Sequence, residues 1–354
     1  MRALICLFTF LLVAGALEAR AEPPALTFVG EFRLPTGLKV DGVEIGGLSA
    51  VDYDPASGEY FALSDDRIEF GPARFYRLAI DLSAEGIRSV DIRERIEILN
   101  PDGESYGQRG ADPEGMRLAD GVLVWAHERD ENGRPYAGIM RLDGRQVRAF
   151  DLPDSYYPTA DGGIRTNLGF ESLTLSADRQ SVILANENAL RQDGPKASVD
   201  EPSPARMIVF DLQSGDQTGE HVYMTETVAD APERADQLQT NGLVELLALE
   251  DGTLLAMERS FSAGRGNVIR LFHVDMAGAT DVSGLESLRD QPVTPVSKTP
   301  ILTLRAGDPT DRIDNVEAMT FGPVVDGKRT LLLLSDNNFN RRGQFTQFLL
   351  YTID

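Results

Sequence analysis

Residues 169–190 read "GFESLTLSADRQSVILANENAL", and this stretch has the form of a β-hairpin that runs from one glutamate to another. Apolar residues follow Glu171, a polar turn interrupts them, and a second apolar run ends at Glu187. Short apolar runs on either side of a turn are typical of paired antiparallel strands. Four further segments share the plan: "GGLSAVDYDPASGEYFALSDDR" from Gly46, "PEGMRLADGVLVWAHERD" from Pro113, "VELLALEDGTLLAMERS" from Val244 and "VEAMTFGPVVDGKRTLLLLSDNN" from Val316.

The turns of these hairpins carry residues suited to a tight reversal. Asp120-Gly121, Asp251-Gly252 and Asp326-Gly327 each lie between two apolar runs. Asp-Gly is favoured there because a two-residue hairpin turn needs backbone conformations with positive φ. The repeats therefore predict strand pairs joined by short turns.

Each of the first four hairpins is followed by two more apolar segments, which makes four strands per unit. The fifth is followed only by "TQFLLYTI", and the segment "LTFVGEFRL" (Leu26 to Leu34) supplies the missing strand. Repeated four-stranded units favour an all-β propeller, closed here by its N-terminal strand. We expect five blades in a single domain over residues 22–354. Six blades, or a pair of β-sandwiches, are the alternatives.

Charge and the N-terminal residues bear on location and partners. The chain has 34 basic and 56 acidic residues, a formal charge of −22. Nucleic acid and anionic membranes attract basic patches, so we expect neither as a partner. Residues 1–21 combine Arg2, an apolar run and the cleavage-site pattern "ARA", as in a secretory signal peptide. We expect export to the periplasm or the exterior, no stable membrane insertion after cleavage, and loss of Cys6, the only cysteine.

The acids at the hairpin ends are the main candidates for function. The first strand of a propeller blade lines the central channel, and its start lies beside the end of the antiparallel second strand. Glu171 should therefore meet Glu187, and Glu317 should meet Asp336, at one mouth of the channel. Pairings of the same kind are expected for Glu114 with Glu128 and for Glu245 with Glu258.

Three interpretations of this acidic mouth remain open. It can be a structural ring of salt bridges, a binding site without turnover, or a metal-assisted hydrolytic site. Clustered carboxylates are relieved by Ca²⁺, which accepts six to eight oxygen ligands in proteins. The expected metal ligands are Glu114, Glu171, Glu245, Glu317 and Asp336. The expected catalytic residues are Glu171, Glu187 and His127, and the expected ligand-binding residues are Arg129, Arg259, Arg165 and Asn167.

Other chemistry has little support in the sequence. There is no H-E-x-x-H zinc motif, no P-loop and no dinucleotide-binding glycine motif. "SFSAG" at Ser260 to Gly264 lacks the first glycine of G-x-S-x-G, so we interpret it as a loop. The signature R-H-G-x-R-x-P of histidine-dependent phosphatases is also absent.

The segments "GGLSAVDYDPASGEYFALSDD", "ADPEGM", "NLGFESLTLSADRQSVILANEN" and "IDNVEAMTF...LLLLSDNNF" together resemble the phytase-like family, described by its esterase-like activity of phytase. The similarity extends from about Gly30 to Ile353. It implies a secreted or periplasmic propeller that hydrolyses a phosphate ester or a related ester. The resulting expectation is an exported phytase-like hydrolase with a small anionic or ester substrate. The alternative is a non-catalytic ligand-binding or scaffold propeller. Oligomeric state does not follow from the sequence.

Overall fold

A computed structural model describes residues 22–354, and within them the chain forms five four-stranded antiparallel sheets. The predicted signal peptide, residues 1–21, and Cys6 lie outside the described residues. Before the first blade come β1 (Leu26–Arg33) and a two-stranded ribbon of β2 (Lys39–Val40) and β3 (Val43–Glu44).

Each sheet is a meander in which consecutive strands pair. Blade one contains β4 (Leu48–Asp54), β5 (Glu59–Ser64), β6 (Arg74–Ser83) and β7 (Gly86–Glu97). Blade two contains β8 (Pro113–Ala119), β9 (Val122–His127), β10 (Tyr136–Arg141) and β11 (Gln146–Ala149). A 3₁₀ turn, Asp154–Tyr156, precedes blade three, which contains β12 (Phe170–Leu175), β13 (Ser181–Asn186), β14 (Pro204–Asp211) and β15 (Gln217–Met224).

The last two blades complete the set. Blade four contains β16 (Gln239–Ala248), β17 (Leu254–Ser262), β18 (Gly266–Asp275) and β19 (Ser297–Arg305). Blade five contains β20 (Asn315–Phe321), β21 (Arg329–Asp336) and β22 (Gln347–Ile353), and its outer strand is β1. The prediction that the N-terminal strand completes the last blade is confirmed: Leu26 pairs with Ile353 and Arg33 with Gln347.

The five sheets close into a ring. The first strand of every blade contacts the first strand of the next, in the order β4, β8, β12, β16, β20 and back to β4. These strands surround the central channel. The predicted five-bladed propeller is therefore confirmed. The alternative of six blades is wrong for the described residues.

Apolar side chains fill the space between neighbouring blades. Each of the five blade interfaces has its own cluster of buried residues, as where Phe61 and Phe75 of blade one meet Met116 and Trp125 of blade two. Because a blade has neighbours on both faces, its middle strands are apolar on both sides, as strands covered on both faces must be.

The hairpin turns agree with their sequences. Asp120 and Gly121 have φ values of 45° and 83°, and Asp326 and Gly327 have 49° and 77°. Both residues of each pair thus adopt the left-handed conformation that an Asp-Gly turn was predicted to use. In the third pair only Gly252 has positive φ, at 87°.

The described part of the chain has no helix with the length and apolar character needed to cross a membrane.

Candidate functional site

A β-bulge recurs at the same place in the first strand of every blade. In blade two Pro113 pairs with His127 and Gly115 with Ala126, so Glu114 is left without a partner on the second strand. A bulge inserts one unpaired residue and redirects its side chain. The five residues at this position are Ser49, Glu114, Glu171, Val244 and Glu317.

A second set of equivalent residues lies on or just after the second strand, one position beyond the residue that pairs on the N-terminal side of each bulge. In blade three Phe170 pairs with Asn186, and Glu187 comes next. Its equivalents are Asp65, Glu128, Arg259 and Asp336. The two sets meet at one mouth of the channel. The prediction that strand starts and strand ends bring acids together therefore agrees with the structure.

Most of these residues line a small cavity of about 250 Å³; Ser49, Val244 and Glu187 do not. Its lining includes nine acidic residues, Asp65, Asp66, Glu69, Asp112, Glu114, Glu128, Glu171, Glu317 and Asp336, and three arginines, Arg67, Arg129 and Arg259. Asp66 turns aside to a fully buried ion pair with Arg74, at 2.7 Å, and has a structural role. Phe70 and Phe339 add an aromatic rim, with stacked rings 4.4 Å apart.

Two glycines make room for the carboxylates of the preceding blade. A Cβ on Gly242 would lie 2.2 Å from Cγ of Glu187, and one on Gly169 would lie 2.6 Å from Cγ of Glu128. The amide of Gly169 donates a hydrogen bond of 2.7 Å to Oε1 of Glu128. The "LGFES" and "NGLVE" segments thus need glycine at these positions because a side chain of the neighbouring blade approaches closely.

The arginines neutralise part of the acidic charge. Arg259 reaches Oε1 of Glu187 at 3.3 Å and Oε1 of Glu317 at 3.2 Å. Arg129 lies 2.9 Å from Oδ2 of Asp112, and its Nη2 donates a 2.8 Å hydrogen bond to Oδ1 of Asn167. Arg67 contacts the same Asp112 oxygen at 3.1 Å. These contacts brace the rim, as the structural interpretation of the mouth requires.

Three cavity-lining carboxylates take no part in that bracing. In residues 22–354 the side chains of Asp65, Glu114 and Glu171 have neither a hydrogen bond nor an ion pair within 4.0 Å. Glu114 is only 9% exposed. Burial, together with the neighbouring carboxylates, raises the pKa of each of the three well above its ordinary value. Asp65 and Glu171 are partly buried, and carboxylates in such surroundings are normally paired, but these three are not paired within residues 22–354.

The paired acids are shifted in the same direction. Burial raises the pKa of Glu128 to about 8 despite Arg129, and that of Asp336 to about 8, with Glu317 adding repulsion. Burial raises the pKa of Glu187 to about 7, although Arg259 opposes the shift. The mouth therefore retains protons near neutral pH unless a cation replaces them.

This predicts how the stability of the cation-free protein depends on pH. The same carboxylates have pKa values of about 4 in the unfolded chain, so between that value and about 8 the folded state binds more protons. The contribution of these carboxyl groups to the free energy of unfolding is fully present below pH 4. It is lost as pH rises through the folded-state pKa values, by about 1.4 kcal/mol per pH unit for each titrating group. We expect Tm, measured with a chelator present, to fall between pH 5 and pH 8. Asp336→Asn should flatten the curve, and a Tm that rises over this window would contradict the assignment.

Most of the predicted site residues come together at the mouth. Glu114, Glu171, Glu317, Asp336, Arg129, Arg259 and Asn167 line the cavity. Glu187 does not line the cavity but forms an ion pair with Arg259, which does. The structure places Glu245, His127 and Arg165 elsewhere.

Glu245 is displaced by one residue from the position expected of it. In blade four Leu243 pairs with Glu258 and Glu245 pairs with Met257, so the bulge falls on Val244. Glu245 therefore points into the channel interior, where Oε2 lies 2.9 Å from Nη2 of Arg117. It does not line the acidic cavity, and the expected pairing of Glu245 with Glu258 is not formed. Glu258 instead accepts hydrogen bonds from Tyr223 and Asn241 and bonds Lys298.

His127 faces a different pocket, between the loops of blade two. Its ring stacks on Tyr136 with centroids 5.2 Å apart and packs against Trp125. Burial lowers the pKa of His127 to about 4, so the imidazole is neutral at pH 7. His127 was expected among the catalytic residues of the mouth, but it does not line the acidic cavity.

Asp65, Asp112 and Arg67 also line the cavity, although they are not among the predicted catalytic, metal-ligating or ligand-binding residues. Asp65 is the blade-one equivalent of Glu187, and the repeat alignment is the signal that identifies it. Asp112 precedes β8 and forms ion pairs with two arginines, which no local motif indicates.

The donor set suits a hard divalent cation. The three unpaired acidic side chains, Asp65, Glu114 and Glu171, supply carboxylate oxygens, the ligand type that Ca²⁺ prefers. Among residues 22–354 no three His, Cys, Asp or Glu side chains already form a metal-ligand cluster. Binding therefore requires side-chain rotation, which the rotatable bonds of glutamate allow.

Comparisons with known proteins identify the family of the chain. The family model for Phytase-like proteins, described as "Esterase-like activity of phytase", matches residues 43–339. An "Uncharacterized secreted protein" of Arthroderma benhamiae is 25% identical over 291 residues, 70% of this chain and 52% of that protein. This chain thus spans about half the length of that curated relative.

Two solved structures align with most of this chain at low similarity. A thermostable family-43 glycoside hydrolase is 12% identical, with a TM-score of 0.48, covering 91% of this chain and 92% of its own. The Dos1 propeller is 10% identical, with a TM-score of 0.33, covering 92% and 95%. The family match includes the hairpins that place Glu114, Glu171, Glu317 and Asp336 at the mouth. With most of its length matched in this way, the chain belongs to the Phytase-like family.

Proposed function

We propose that this chain is an exported hydrolase that cleaves a phosphate ester at the acidic mouth of the propeller, with Ca²⁺ as its cofactor. The observation that carries the proposal is the trio of cavity-lining carboxylates, Asp65, Glu114 and Glu171, that lack a partner beside three arginines. Export rests on the signal-like residues 1–21 and on the secreted relative.

The unpaired carboxylates would hold the cation. Asp65, Glu114 and Glu171 come from three different elements of blades one to three, and all face the same cavity. A bound calcium would neutralise their mutual repulsion, polarise a phosphoryl oxygen and lower the pKa of bound water. Glu317 and Asp336, expected as further ligands, belong to blade five, the neighbour of blade one in the ring, and lie close enough to Asp65 to raise its pKa.

The remaining residues of the mouth suit the other needs of ester hydrolysis. Arg259 and Arg129 present guanidinium groups to the cavity, and guanidinium is well matched to phosphate oxygens. Water adds to phosphorus, the bond to the ester oxygen breaks, and the departing oxygen needs a proton. Asp336, whose pKa is raised to about 8, keeps a proton near neutral pH and can donate it.

A hydrolysis assay tests the proposal directly. The purified chain from residue 22 is offered phytate, a phosphate monoester, a phosphate diester and a carboxylic ester, each with calcium and with a chelator. We expect phosphate release that depends on calcium. Equal phosphate release with calcium and with the chelator would show that the reaction needs no calcium. Cleavage of the carboxylic ester alone would show that the substrate is a carboxylic ester and not a phosphate ester.

A second function is favoured by one observation. The exposed ring of Phe70 and the partly buried ring of Phe339 line the acidic cavity, an arrangement that also suits an organic cation through cation–π contact. A non-catalytic propeller of this kind would retain an organic ammonium ligand without releasing any product. Absence of turnover on all four esters, together with saturable binding of such a ligand, would favour it.

A further inference from the structure

We propose that a second, basic pocket next to the acidic mouth binds a tetrahedral oxyanion, a phosphate or sulfate group carried by the ligand. The pocket has a volume of about 860 Å³. Four basic residues line it, Arg165, Arg191, Lys196 and Arg289, and its one acidic lining residue is Asp161. Its role in substrate recognition rests on the proposed function, but its binding of an anion does not.

This pocket is basic, whereas the protein as a whole is strongly acidic. The chain carries 34 basic residues against 56 acidic ones, yet four basic side chains gather here. Across residues 22–354 the ion pairs within 4.0 Å include none of these four. Burial, and then the positive charges of Arg191 and Arg289, lower the pKa of Arg165. Arg165, Arg191 and Arg289 therefore repel one another without an ion pair within 4.0 Å in the described residues, and a bound anion would relieve this repulsion.

The pocket is built by fixed elements. Arg165 donates hydrogen bonds to the carbonyl oxygens of Ala189, at 3.0 Å, and Gly194, at 2.5 Å. Gln192 accepts a bond from the Gly163 amide and donates one to the Ser155 carbonyl, 2.9 Å each. The loop around the basic side of the pocket is thus held from several directions.

A loop of blade four completes the pocket. Leu288, next to Arg289, donates its amide to Oδ1 of Asp193 at 2.9 Å, and the hydroxyl of Ser287 bonds the Gln192 carbonyl at 2.7 Å. These bonds dock the loop between β18 and β19 on blade three. They place the Arg289 side chain opposite Arg165 and Arg191.

One turn, residues 165–168, lines both the basic pocket and the acidic cavity. Arg165 and Leu168 form an isolated β-bridge and line the basic pocket. Asn167, between them, adopts a φ of 62°, lines the acidic cavity and bonds Arg129. Lys196, from the basic pocket, is close enough to Glu187 to lower its pKa. A ligand with two anionic groups can therefore place one in each site.

Direct binding measurements test this pocket without any assay of turnover. Inorganic phosphate and sulfate are titrated calorimetrically into the purified chain from residue 22, with citrate as a carboxylate comparison. Arg191→Ala and Arg289→Ala are each expected to weaken phosphate binding by about tenfold, the usual order for one charge-assisted contact. Arg145→Ala removes an exposed arginine that pairs with Asp143 elsewhere and should change nothing. Arg165 is left intact because it holds two carbonyls.

The outcomes separate this inference from the proposed function. Phosphate affinity that is unchanged in Arg191→Ala and Arg289→Ala, or absent in the parent chain, overturns the pocket. Tighter binding of citrate than of phosphate or sulfate overturns the oxyanion class. If no ester is hydrolysed but both variants lose phosphate binding, the pocket stands and the hydrolase proposal fails. If turnover exists, the variants should raise KM for a ligand with two phosphates and leave kcat nearly unchanged.

Discussion

Glu171→Gln is expected to reduce calcium-dependent turnover by roughly 100-fold or more, since even residues that merely support metal ligands contribute 10- to 100-fold. The same variant should fold as well as the parent chain. Glu171 has no hydrogen bond or ion pair to lose, and its charge is opposed by burial and by Glu187 and Glu128. Removing a repelled charge costs no stability at neutral pH.

Calcium binding gives a readout that is independent of activity. Calcium should raise the Tm of the parent chain, because a cation that binds only the folded state stabilises it. In Glu171→Gln this increase should be largely lost. A Glu171→Gln variant with full turnover and a full response to calcium would remove Glu171 from the site. A variant that is instead strongly destabilised would favour the purely structural interpretation of the mouth.

Glu258→Gln is the matched control. Glu258 is a fully buried glutamate within β17, the second strand of blade four, and Tyr223, Asn241 and Lys298 all bond it. Its neutralisation leaves Lys298 without a buried partner and should lower stability by about 1–3 kcal/mol. The response to calcium should remain. The two variants thus distinguish Glu171, which is proposed to bind a cation, from Glu258, which already has hydrogen-bond and ion-pair partners.

Arg117→Met is expected to have the largest effect on stability. Arg117 lies buried in the channel and donates hydrogen bonds to carbonyl oxygens of three other blades, at Val51 (3.0 Å), Leu246 (2.8 Å) and Met319 (3.2 Å). It is also the ion-pair partner of Glu245, and both side chains are at most 3% exposed. Removing one member of a buried pair costs about 3–5 kcal/mol, a decrease in Tm on the order of 10 °C.

A double variant and a pH comparison check the cause. Arg117→Met combined with Glu245→Met should be more stable than Arg117→Met alone, because no lone buried carboxylate remains. The single variant should lose more stability at pH 8 than at pH 5, since Glu245 can take up a proton at the lower pH. Arg88→Met, which removes an exposed arginine paired with Asp81, serves as the control. A single variant as stable as the parent chain would show that the channel does not depend on Arg117.

The propeller could be predicted because its units repeat. Each blade buries its middle strands on both faces, so the apolar runs and Asp-Gly turns recur in the sequence. The acidic mouth followed from the same repeat, through the antiparallel pairing of first and second strands. Glu114, Glu171, Glu317 and Asp336 were all found in this way.

Glu245 shows where that reasoning failed. Four blades can be aligned on a glutamate, but the bulge of blade four falls on Val244. A bulge shifts the register by one residue, and a shift of one residue moves a side chain to the opposite face. Sequence letters alone do not mark which residue a bulge leaves unpaired. Glu245 was thus assigned to a metal site although it braces the channel.

The basic pocket had no counterpart in the repeat. Arg165, Arg191 and Lys196 lie in long loops around blade three, and Arg289 comes from a loop of blade four. These loops differ in length and sequence from blade to blade, so no periodic signal connects their residues. Only the docking of Leu288 and Ser287 on blade three brings Arg289 to the others.

The pairing of β1 with β22 also governs the order in which the protein can fold. The Ala25 amide bonds the Asp354 carbonyl at 3.2 Å, and the Asp354 amide bonds the Ala25 carbonyl at 3.0 Å. The sheet of blade five therefore joins residues from the two ends of the described chain. Contacts this distant in sequence slow folding, because a long loop must close before they form. Blades one to four can assemble from neighbouring segments, whereas blade five must wait until the last strand has emerged from synthesis or export.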